Sequence, residues 1–364
     1  MTLQTITLAG FALATVIQLF YWLYVFPRLI FFKKPVNKDV EQAVSVIICA
    51  KNEAENLKKN LPRILNQTYP FFEVIVVNDN SSDESEAIIL DFQKIYPILH
   101  LVSRKVDDIG KKRALADGIQ AAKHDVLLLT DSDCSPNSSD WLRLMQTSIE
   151  GKVSIGLGYA PYYRYKGLLN KFIRYETYYT ALQYLTFALW SSPYMGVGRN
   201  LIYEKSLYYK VGGFKSHEHI ASGDDDLFIN AISHLDNTTI VLDRRTFVYS
   251  EPKRDWRAFF RQKVRHLSTG TSYRLKHKVL LGLLSGSHFL HYFLGTFTLF
   301  QGYQSLVVWG FLIRMSILLL VSRFILRKLD ERGLLMWIPV LDVMMILYYI
   351  IFSSALFRGA KDRW

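Results

Sequence analysis

The stretch LLLTDSDC, Leu127–Cys134, carries a run of apolar and small residues directly into two aspartates that stand one residue apart. Two neighbouring carboxylates raise each other's pKa unless a cation neutralises them. A solvated turn after a strand is the commoner reason for such a pair, and a ligand site is the alternative. The segments on either side of this stretch decide between the two.

Strand and helix patterns alternate through the first part of the chain. Apolar, β-branched segments predict buried strands at Ala43–Ala50, 71–79, 99–103 and 125–131. Helical patterns lie between them at 53–67, 83–95 and 111–123, and Pro62 should bend or split the first of these helices. This alternation predicts the α/β class, with a doubly wound, mostly parallel sheet covered by helices on both faces.

Polar clusters follow three of these strands, at Lys51–Glu53, Asn78–Asp83 and Thr130–Asp133. Ligands of parallel sheets bind beyond the carboxyl ends of the strands, so the clusters should share one crevice with Lys111–Arg113 at a helix start. A helix N-terminus beside cations suits a phosphate group, and a carboxylate pair suits Mg²⁺ or Mn²⁺. The crevice therefore predicts a nucleotide diphosphate with a metal, although each cluster alone is also consistent with a turn or an exposed helix start.

Long uncharged segments stand at both ends of the chain. Thr2–Pro27 exceeds the length of about 20 residues that crosses a bilayer, and the lysines and arginine after it favour a cytosolic location for that end. Spans are also predicted at Val279–Phe300, Tyr303–Ser322 and Leu334–Phe357. We expect a transmembrane anchor at 1–32, a cytosolic catalytic domain with interfacial helices at 38–278, and a transmembrane region of about three helices at 279–364.

Two charged residues, Arg314 and Asp342, stand inside predicted spans. Such residues face a polar cavity or pair with one another, and both alternatives stay open at this point. The formal charge of +12 fits a protein that lies against an anionic membrane surface. Neither zinc-ligand spacing nor a basic recognition helix is present, so nucleic acid is disfavoured as a partner. The two cysteines, Cys49 and Cys134, do not indicate a disulfide framework.

Seven segments, taken in order, resemble the membrane-attached members of glycosyltransferase family 2: VSVIICAKNEAENL, VIVVNDNSSDES, GKKRALADGI, LLLTDSDC, VGRNLIYEKSLYYKVGGF, SGDDDLFIN and RQKVRH. They lie between residues 44 and 266. The resemblance implies a nucleotide-sugar-binding fold of the GT-A type and transfer of a sugar with inversion at its anomeric carbon.

By position, the resemblance assigns the donor pocket to residues near the strand ends. Asp131 and Asp133 match the family's D-x-D motif and would hold the metal, with Asp133 as the more direct ligand. The other implied donor residues are Ala50, Asn52 and Glu53 beside the nucleoside, Asp79 at the base, and Lys111, Arg113 and Asp131 along the nucleotide.

The acceptor side is implied by two further motifs. GDDDLF, which begins at Gly223, is similar to E-D-x-D-L, and a gap-free alignment puts Asp224 at the general-base position. Three consecutive aspartates leave Asp225 as an alternative base, and a helix N-terminal acidic cluster as a structural one. RQKVRH matches Q-x-x-R-W through Gln262 and Arg265, with a histidine in place of the tryptophan, and implies that Arg265 faces a phosphate.

An aromatic segment at Asn170–Trp190 carries three charges and is too polar to predict a span. It is typical of an amphipathic helix in the membrane interface, and an ordinary core helix is the alternative.

Taken together, the sequence predicts a membrane-bound, metal-dependent inverting glycosyltransferase of the bacterial inner membrane and cell envelope, with an aspartate general base and a cytosolic catalytic domain. The expected donor is a UDP- or GDP-sugar, the acceptor a lipid or lipid-linked saccharide, and the metal Mg²⁺ or Mn²⁺. A processive polysaccharide synthase is one alternative, which the small number of spans disfavours. A degenerate nucleotide-binding regulatory module is another, which the intact D-x-D, Gln262 and Arg265 disfavour.

Overall fold

The computed structural model describes residues 2–33, 41–104, 110–220 and 222–353. Its strands are β1 (Val44–Ala50), β2 (Phe72–Asp79), β3 (Leu99–Arg104), β4 (Val126–Asp131), β5 (Cys134–Pro136), β6 (Ile155–Leu157), β7 (Leu201–Glu204), β8 (Thr238–Ile240) and β9 (Val248–Ser250). Its α-helices are α1 (Leu3–Phe20), α2 (Arg28–Phe31), α3 (Ala54–Leu65), α4 (Ser85–Ile95), α5 (Lys111–Ala121), α6 (Trp141–Gln146), α7 (Leu168–Leu189), α8 (Lys205–Lys210), α9 (Asp226–Ile232), α10 (Trp256–Leu267), α11 (Leu275–Leu299), α12 (Gln304–Lys328) and α13 (Ile338–Ser353). A π-helix at Tyr21–Val25 joins α1 to the turn before α2.

One seven-stranded sheet forms the centre of the α/β domain, in the order β3-β2-β1-β4-β7-β6-β8. The first four strands are parallel, which confirms the predicted α/β class, and β7 runs antiparallel to β4 and to β6. The register pairs Ala50 with Asn78 and Cys49 with Asp131, so the carboxyl ends of β1, β2 and β4 lie level. The polar residues that follow these strands therefore meet at one edge.

The central strands are buried on both faces, which explains their nearly continuous apolar sequences. Helix α5 packs closely against β1 and β2 because Gly118 has no side chain. A Cβ atom at this position would stand 2.7 Å from a methyl carbon of Ile47 and 3.0 Å from one of Val77. Helix α3 is continuous across Pro62, which lies in its last turn, so the expected split does not occur.

A small antiparallel sheet, β5 with β9, extends the edge beyond β4. Its register sets Cys134 opposite Ser250, and an isolated bridge joins Ser250 to Tyr162. Residues from three distant parts of the chain are thus fixed beside Asp133 by backbone hydrogen bonds.

Three helical segments are long and apolar enough to cross a membrane: Leu3–Phe31, Gln304–Lys328 and Arg332–Ser353. The predicted span at 279–300 forms most of α11, which is as long as α12 but is not one of these three. Helix α11 packs along α1 and also contacts α12 and α13, so these four helices form one bundle. The end of the last predicted span, from residue 354 onward, lies outside the described residues.

A buried set of polar side chains, here called the bundle cluster, lies between these helices. Arg314 donates from Nη1 to Asp342 Oδ2 at 2.6 Å and from Nη2 to Gln18 Oε1 at 3.0 Å. The Tyr292 hydroxyl donates to the same Asp342 oxygen at 2.8 Å, and His288 Nε2 lies 3.2 Å from Asp342 Oδ1. Of the two alternatives left open for the intramembrane charges, the structure has them paired with each other.

The turn at Asp330 and Glu331, after α12, connects the bundle to the α/β domain through ion pairs. Glu331 is buried and pairs with Arg174 of α7. Asp330 pairs with Arg164 at 2.5 Å and with Arg244 at 3.3 Å. Helix α7 itself is buried around its circumference, at 15 of its 22 residues. The aromatic segment is therefore a core helix, and its interpretation as an interfacial helix is wrong because its neighbours cover all its faces.

Candidate active site

The donor-side residues lie around the ends of β1 and β2. Asn52 has a positive φ of 55° and accepts from the backbone of Ser82 at 2.8 Å, which closes the turn after β1 against the turn after β2. Glu53 accepts from Asn56, at the start of α3. Asp79 is fully buried, where it accepts from the Gly110 backbone at 3.0 Å and pairs with Arg104. The structure thus brings Ala50, Asn52, Glu53 and Asp79 together at the predicted edge.

The D-x-D carboxylates stand where β4 ends. Ligand atoms of Asp131, Asp133 and Cys134 all lie within 4.8 Å of one another. Burial, together with the negative charge of Asp131, raises the pKa of Asp133. The Cys134 thiol donates to Asp133 at 3.2 Å, and its own pKa is raised well above the usual value by burial. Carboxylate oxygens in this arrangement fit a hard divalent ion, which Asp131 and Asp133 would hold.

Lys111 connects the D-x-D motif to the acidic motif at the start of α9. Its Nζ lies 3.0 Å from Asp131 Oδ1 and 3.1 Å from Asp224 Oδ2. Burial alone would lower the pKa of this lysine, but the two carboxylates raise it well above its ordinary value. Lys111, Asp131, Asp133, Asp224 and Asp225 together form what we call the edge cluster.

The three aspartates before α9 have different partners. Despite its burial, Asp224 has a lowered pKa because Lys111 stabilises its charged form. Asp225 caps α9, accepting from the Asp226 backbone at 2.7 Å and from the Gly198 backbone at 2.7 Å. Burial and the neighbouring carboxylates raise the pKa of Asp225 to about 7. Asp226 accepts from the hydroxyls of Thr269 and Tyr273 and therefore belongs to the packing behind the site.

The two other cations at the start of α5 point elsewhere. Lys112 donates to the backbone oxygens of His217 at 2.6 Å and Ile220 at 2.9 Å, which fixes the loop before the acidic motif. Arg113 pairs with Glu218 at 3.1 Å on the surface of the same loop. Of the three consecutive basic residues, Lys111 is the one that joins the carboxylates of the edge cluster.

Gln262 and Arg265 lie on α10, whose first turn is capped by Asp255. Gln262 donates to the Tyr162 hydroxyl at 3.3 Å. The outer face of α10 is apolar at Phe260, which stacks on Phe352 of α13 with ring centroids 4.9 Å apart. The helix that carries the second acceptor motif therefore touches the membrane bundle directly.

Sequence reasoning missed Arg199, in the 3-10 turn Gly198–Asn200 before β7. Its guanidinium donates to the Ser250 hydroxyl and lies over the Tyr162 ring, 4.4 Å from the ring centroid. The only signal in the sequence is a basic residue between two polar or small ones in the segment VGRNLIY. Its relation to the D-x-D motif depends on the β5–β9 pairing, which local patterns do not predict.

Comparison with known proteins agrees with this geometry. Residues 45–212 match the model of glycosyl transferase family 2. The glycosyltransferase AglE of Haloferax volcanii is 36% identical over 110 residues, 30% of this chain and 36% of that protein. The poly-beta-1,6-N-acetyl-D-glucosamine synthase of Staphylococcus epidermidis is 31% identical over 122 residues, 31% of this chain and 29% of that protein. The matched stretch spans about a third of each of these relatives.

A solved structure shares the fold over nearly the whole chain. The mannosyltransferase of Pyrobaculum calidifontis, in complex with GDP-Man and Mn²⁺, superposes with a TM-score of 0.61 over 95% of this chain and 99% of that one, at 18% identity. The family match begins at β1 and contains the D-x-D motif and Lys111. Residues 45–212 of the chain therefore form a region similar to glycosyl transferase family 2.

Proposed function

We propose that the protein is a membrane-bound, metal-dependent inverting glycosyltransferase. It moves a sugar from a nucleotide diphosphate sugar to a lipid or lipid-linked saccharide. The observation that carries this proposal is the edge cluster, in which Lys111 lies between the D-x-D residue Asp131 and the acidic-motif residue Asp224. Asp131 of the candidate metal-binding pair and Asp224, the candidate base, lie 3.0 Å and 3.1 Å from Lys111 Nζ, so one substrate could contact all three.

On the donor side, Asp131 and Asp133 would hold Mg²⁺ or Mn²⁺. The metal, when bound, stabilises the negative charge that builds up on the departing diphosphate. Lys111, and Arg265 of α10, would add positive charge for the phosphates. The relative solved with GDP-Man and Mn²⁺ supports a GDP-sugar as the first donor to test, with UDP-sugars as the second.

We assign the general base to Asp224, because geometry ranks before pKa in choosing a base. Asp224 faces the crevice through Lys111, whereas both oxygens of Asp225 accept from backbone amides. When the donor phosphates attract Lys111, the pKa of Asp224 rises because it loses its counter-charge. Asp224 then accepts the proton of the acceptor hydroxyl as the new bond to the anomeric carbon forms and the bond to phosphate breaks.

The packing of α10 on α13 supports an acceptor that lies at the membrane. The last turns of α12 and the residues just after it carry Arg323, Arg327, Lys328 and Arg332, which supports a cytosolic location for the catalytic side. Similarity to a poly-beta-1,6-N-acetyl-D-glucosamine synthase supports one second candidate, a processive synthase. Product length separates the two, since one added sugar supports single transfer and a polymer supports the synthase.

The test uses the full chain purified in detergent, a panel of UDP- and GDP-sugars, and a membrane lipid extract. We expect release of one nucleoside diphosphate with Mn²⁺ or Mg²⁺, no release in EDTA, and a labelled lipid product. If no donor is turned over while nucleotide still binds, the proposed activity is wrong and a degenerate binding module is favoured.

A further inference from the structure

The turn Gly198–Asn200 joins the two halves of the edge cluster. The Gly198 backbone donates to Asp225 on the acceptor side. Asn200 is fully buried and donates to the backbone oxygens of Tyr159 at 2.9 Å and Thr246 at 2.8 Å. The residue between them, Arg199, is therefore held on a rigid segment, and its side chain extends toward the D-x-D motif.

Two contacts fix the Arg199 guanidinium. It donates to the hydroxyl of Ser250, the residue that stands opposite Cys134 in the β5–β9 register and hence next to Asp133. It also lies over the Tyr162 ring, whose hydroxyl accepts from Gln262. A guanidinium has five N–H donors in a planar fork, and these contacts leave most of them for another partner.

The D-x-D carboxylates lie near enough to Arg199 to interact with its charge, but no described carboxylate forms a direct ion pair with it. Within residues 2–33, 41–104, 110–220 and 222–353, its polar contact is the neutral Ser250 hydroxyl, and no ion pair includes it. Its positive charge acts on the D-x-D motif, where it lowers the pKa of Asp133 against the larger effect of burial. A partly buried cation without an ion pair, beside a metal-binding pair, requires an anion to complete it.

We propose that Arg199 is a catalytic residue that binds the phosphate attached to the donor sugar. This inference rests on the proposed function. In the transfer, the bond between the anomeric carbon and that phosphate oxygen breaks, and its electron pair stays on the oxygen. The new bond forms from the acceptor oxygen, whose proton goes to the base. Arg199 donates to the phosphate that gains the charge, and Ser250, Tyr162 and Gln262 are its positioning residues.

The competing explanation is that Arg199 only neutralises Asp133. The phosphate-binding role and the counter-ion role predict that different affinities depend on Arg199. A phosphate-binding Arg199 stabilises a nucleoside diphosphate but not the corresponding monophosphate. A counter-ion to Asp133 changes the affinity for the metal and leaves the preference for a second phosphate intact.

The experiment measures dissociation constants of UDP, UMP, GDP and GMP by calorimetry on the detergent-purified full chain, with EDTA and with Mn²⁺. The variants are Arg199→Gln, Arg199→Lys and Ser250→Ala, and Mn²⁺ affinity is measured in parallel by electron paramagnetic resonance. Arg245→Gln is the matched control, because that arginine pairs with Asp243 and Asp140 at the surface.

In Arg199→Gln we expect diphosphate affinity to fall by about tenfold or more, since charge-assisted hydrogen bonds are lost, while monophosphate affinity changes by less than about twofold. Arg199→Lys should lose less diphosphate affinity, because it keeps the positive charge. Ser250→Ala should lose less still. Unchanged monophosphate binding shows that the pocket is folded.

Two results would overturn the assignment. If Arg199→Gln keeps the wild-type preference for diphosphate and binds Mn²⁺ more tightly, the arginine is a counter-ion. If it loses diphosphate and monophosphate affinity equally, its role is structural. A wild-type chain without any preference for a diphosphate overturns the proposed function as well, so the two failures are distinguishable.

Discussion

The edge cluster and the bundle cluster are both groups of charged side chains in largely apolar surroundings, but they are balanced differently. In the bundle cluster, Arg314 and Asp342 are fully buried and neutralise each other, with Gln18 and Tyr292 completing their hydrogen bonds. In the edge cluster, Asp131 keeps 28% of its side-chain surface exposed, and Lys111 is shared among several carboxylates.

The difference follows from what completes each cluster. Burying an unpaired charge is costly, so a cluster with no access to solvent or ligand must close upon itself. A cluster at an open sheet edge can keep excess negative charge, because a metal and a substrate supply the remainder. The excess negative charge of the edge cluster thus indicates a binding site, whereas the balanced Arg314–Asp342 pair indicates a structural role.

The largest expected effect tests the excess charge of the edge cluster. Asp133→Asn should lower turnover by at least about 10²–10³-fold, because one of two metal-binding carboxylates is lost. Metal-dependent nucleotide release from purified protein measures this. Asp91→Asn is the control, since Asp91 is exposed and pairs with Lys94 on the same helix. Wild-type turnover in Asp133→Asn would contradict the metal assignment.

The next effect separates the two candidate bases. Asp224→Asn should keep donor binding and lower turnover by about 10²–10⁴-fold. A base must be deprotonated, so activity falls as pH falls through its pKa. With Asp224 as the base of the free enzyme, the acid limb of kcat/KM should lie below the ordinary aspartate pKa of 3.8, because Lys111 lowers it. An acid limb near 7, together with inactivity of Asp225→Asn, would move the assignment to Asp225.

A third prediction breaks the balance of the bundle cluster. Arg314→Met leaves Asp342 buried without its partner and should lower the free energy of unfolding by about 3–5 kcal/mol. The double variant Arg314→Met/Asp342→Leu should recover most of this loss, because the unpaired charge is removed. Thermal unfolding in detergent measures both, with Arg323→Met, an exposed arginine of the same helix, as the control. If the double variant is no more stable than Arg314→Met, the pair stabilises the bundle by more than mutual neutralisation of charge.

The smallest effect concerns Cys134, which lies beside the metal-binding carboxylates. Its thiol donates to Asp133, and a serine hydroxyl donates in the same way. Cys134→Ser should therefore leave the choice between Mg²⁺ and Mn²⁺ and the turnover nearly unchanged. A large change in metal preference would instead identify the sulfur as a ligand.

Local patterns predicted the first half of the domain well. The strands from β1 to β4 and the helices between them follow from apolar runs and helical periodicity, and a parallel sheet brings their polar ends together. The convergence of Asp131, Asp133 and Lys111 could be derived for that reason. The roles of the individual site residues remain predictions until the variants are measured.

What sequence reasoning missed depends on contacts between distant segments. Arg199 reaches the site through β7, Ser250 and Tyr162, which are brought together only in the folded chain. Helix α7 has a charged and aromatic sequence that is typical of a surface helix, yet its charges are buried in pairs with Glu331 and Lys263. Charge in a sequence does not tell whether a partner from another element will cover it.

The turn at Asp330 and Glu331 has a consequence for the size of the product. Arg164, Arg174 and Arg244 form ion pairs with this turn and so connect the catalytic domain to the helical bundle. In the proposed function, transfer then takes place at a constant height above the plane where the helices end. An acceptor hydroxyl at this height can enter the site, whereas the far end of a long lipid-linked saccharide cannot. Under that proposal, a fixed height of the site favours the addition of a single sugar over the synthesis of a polymer.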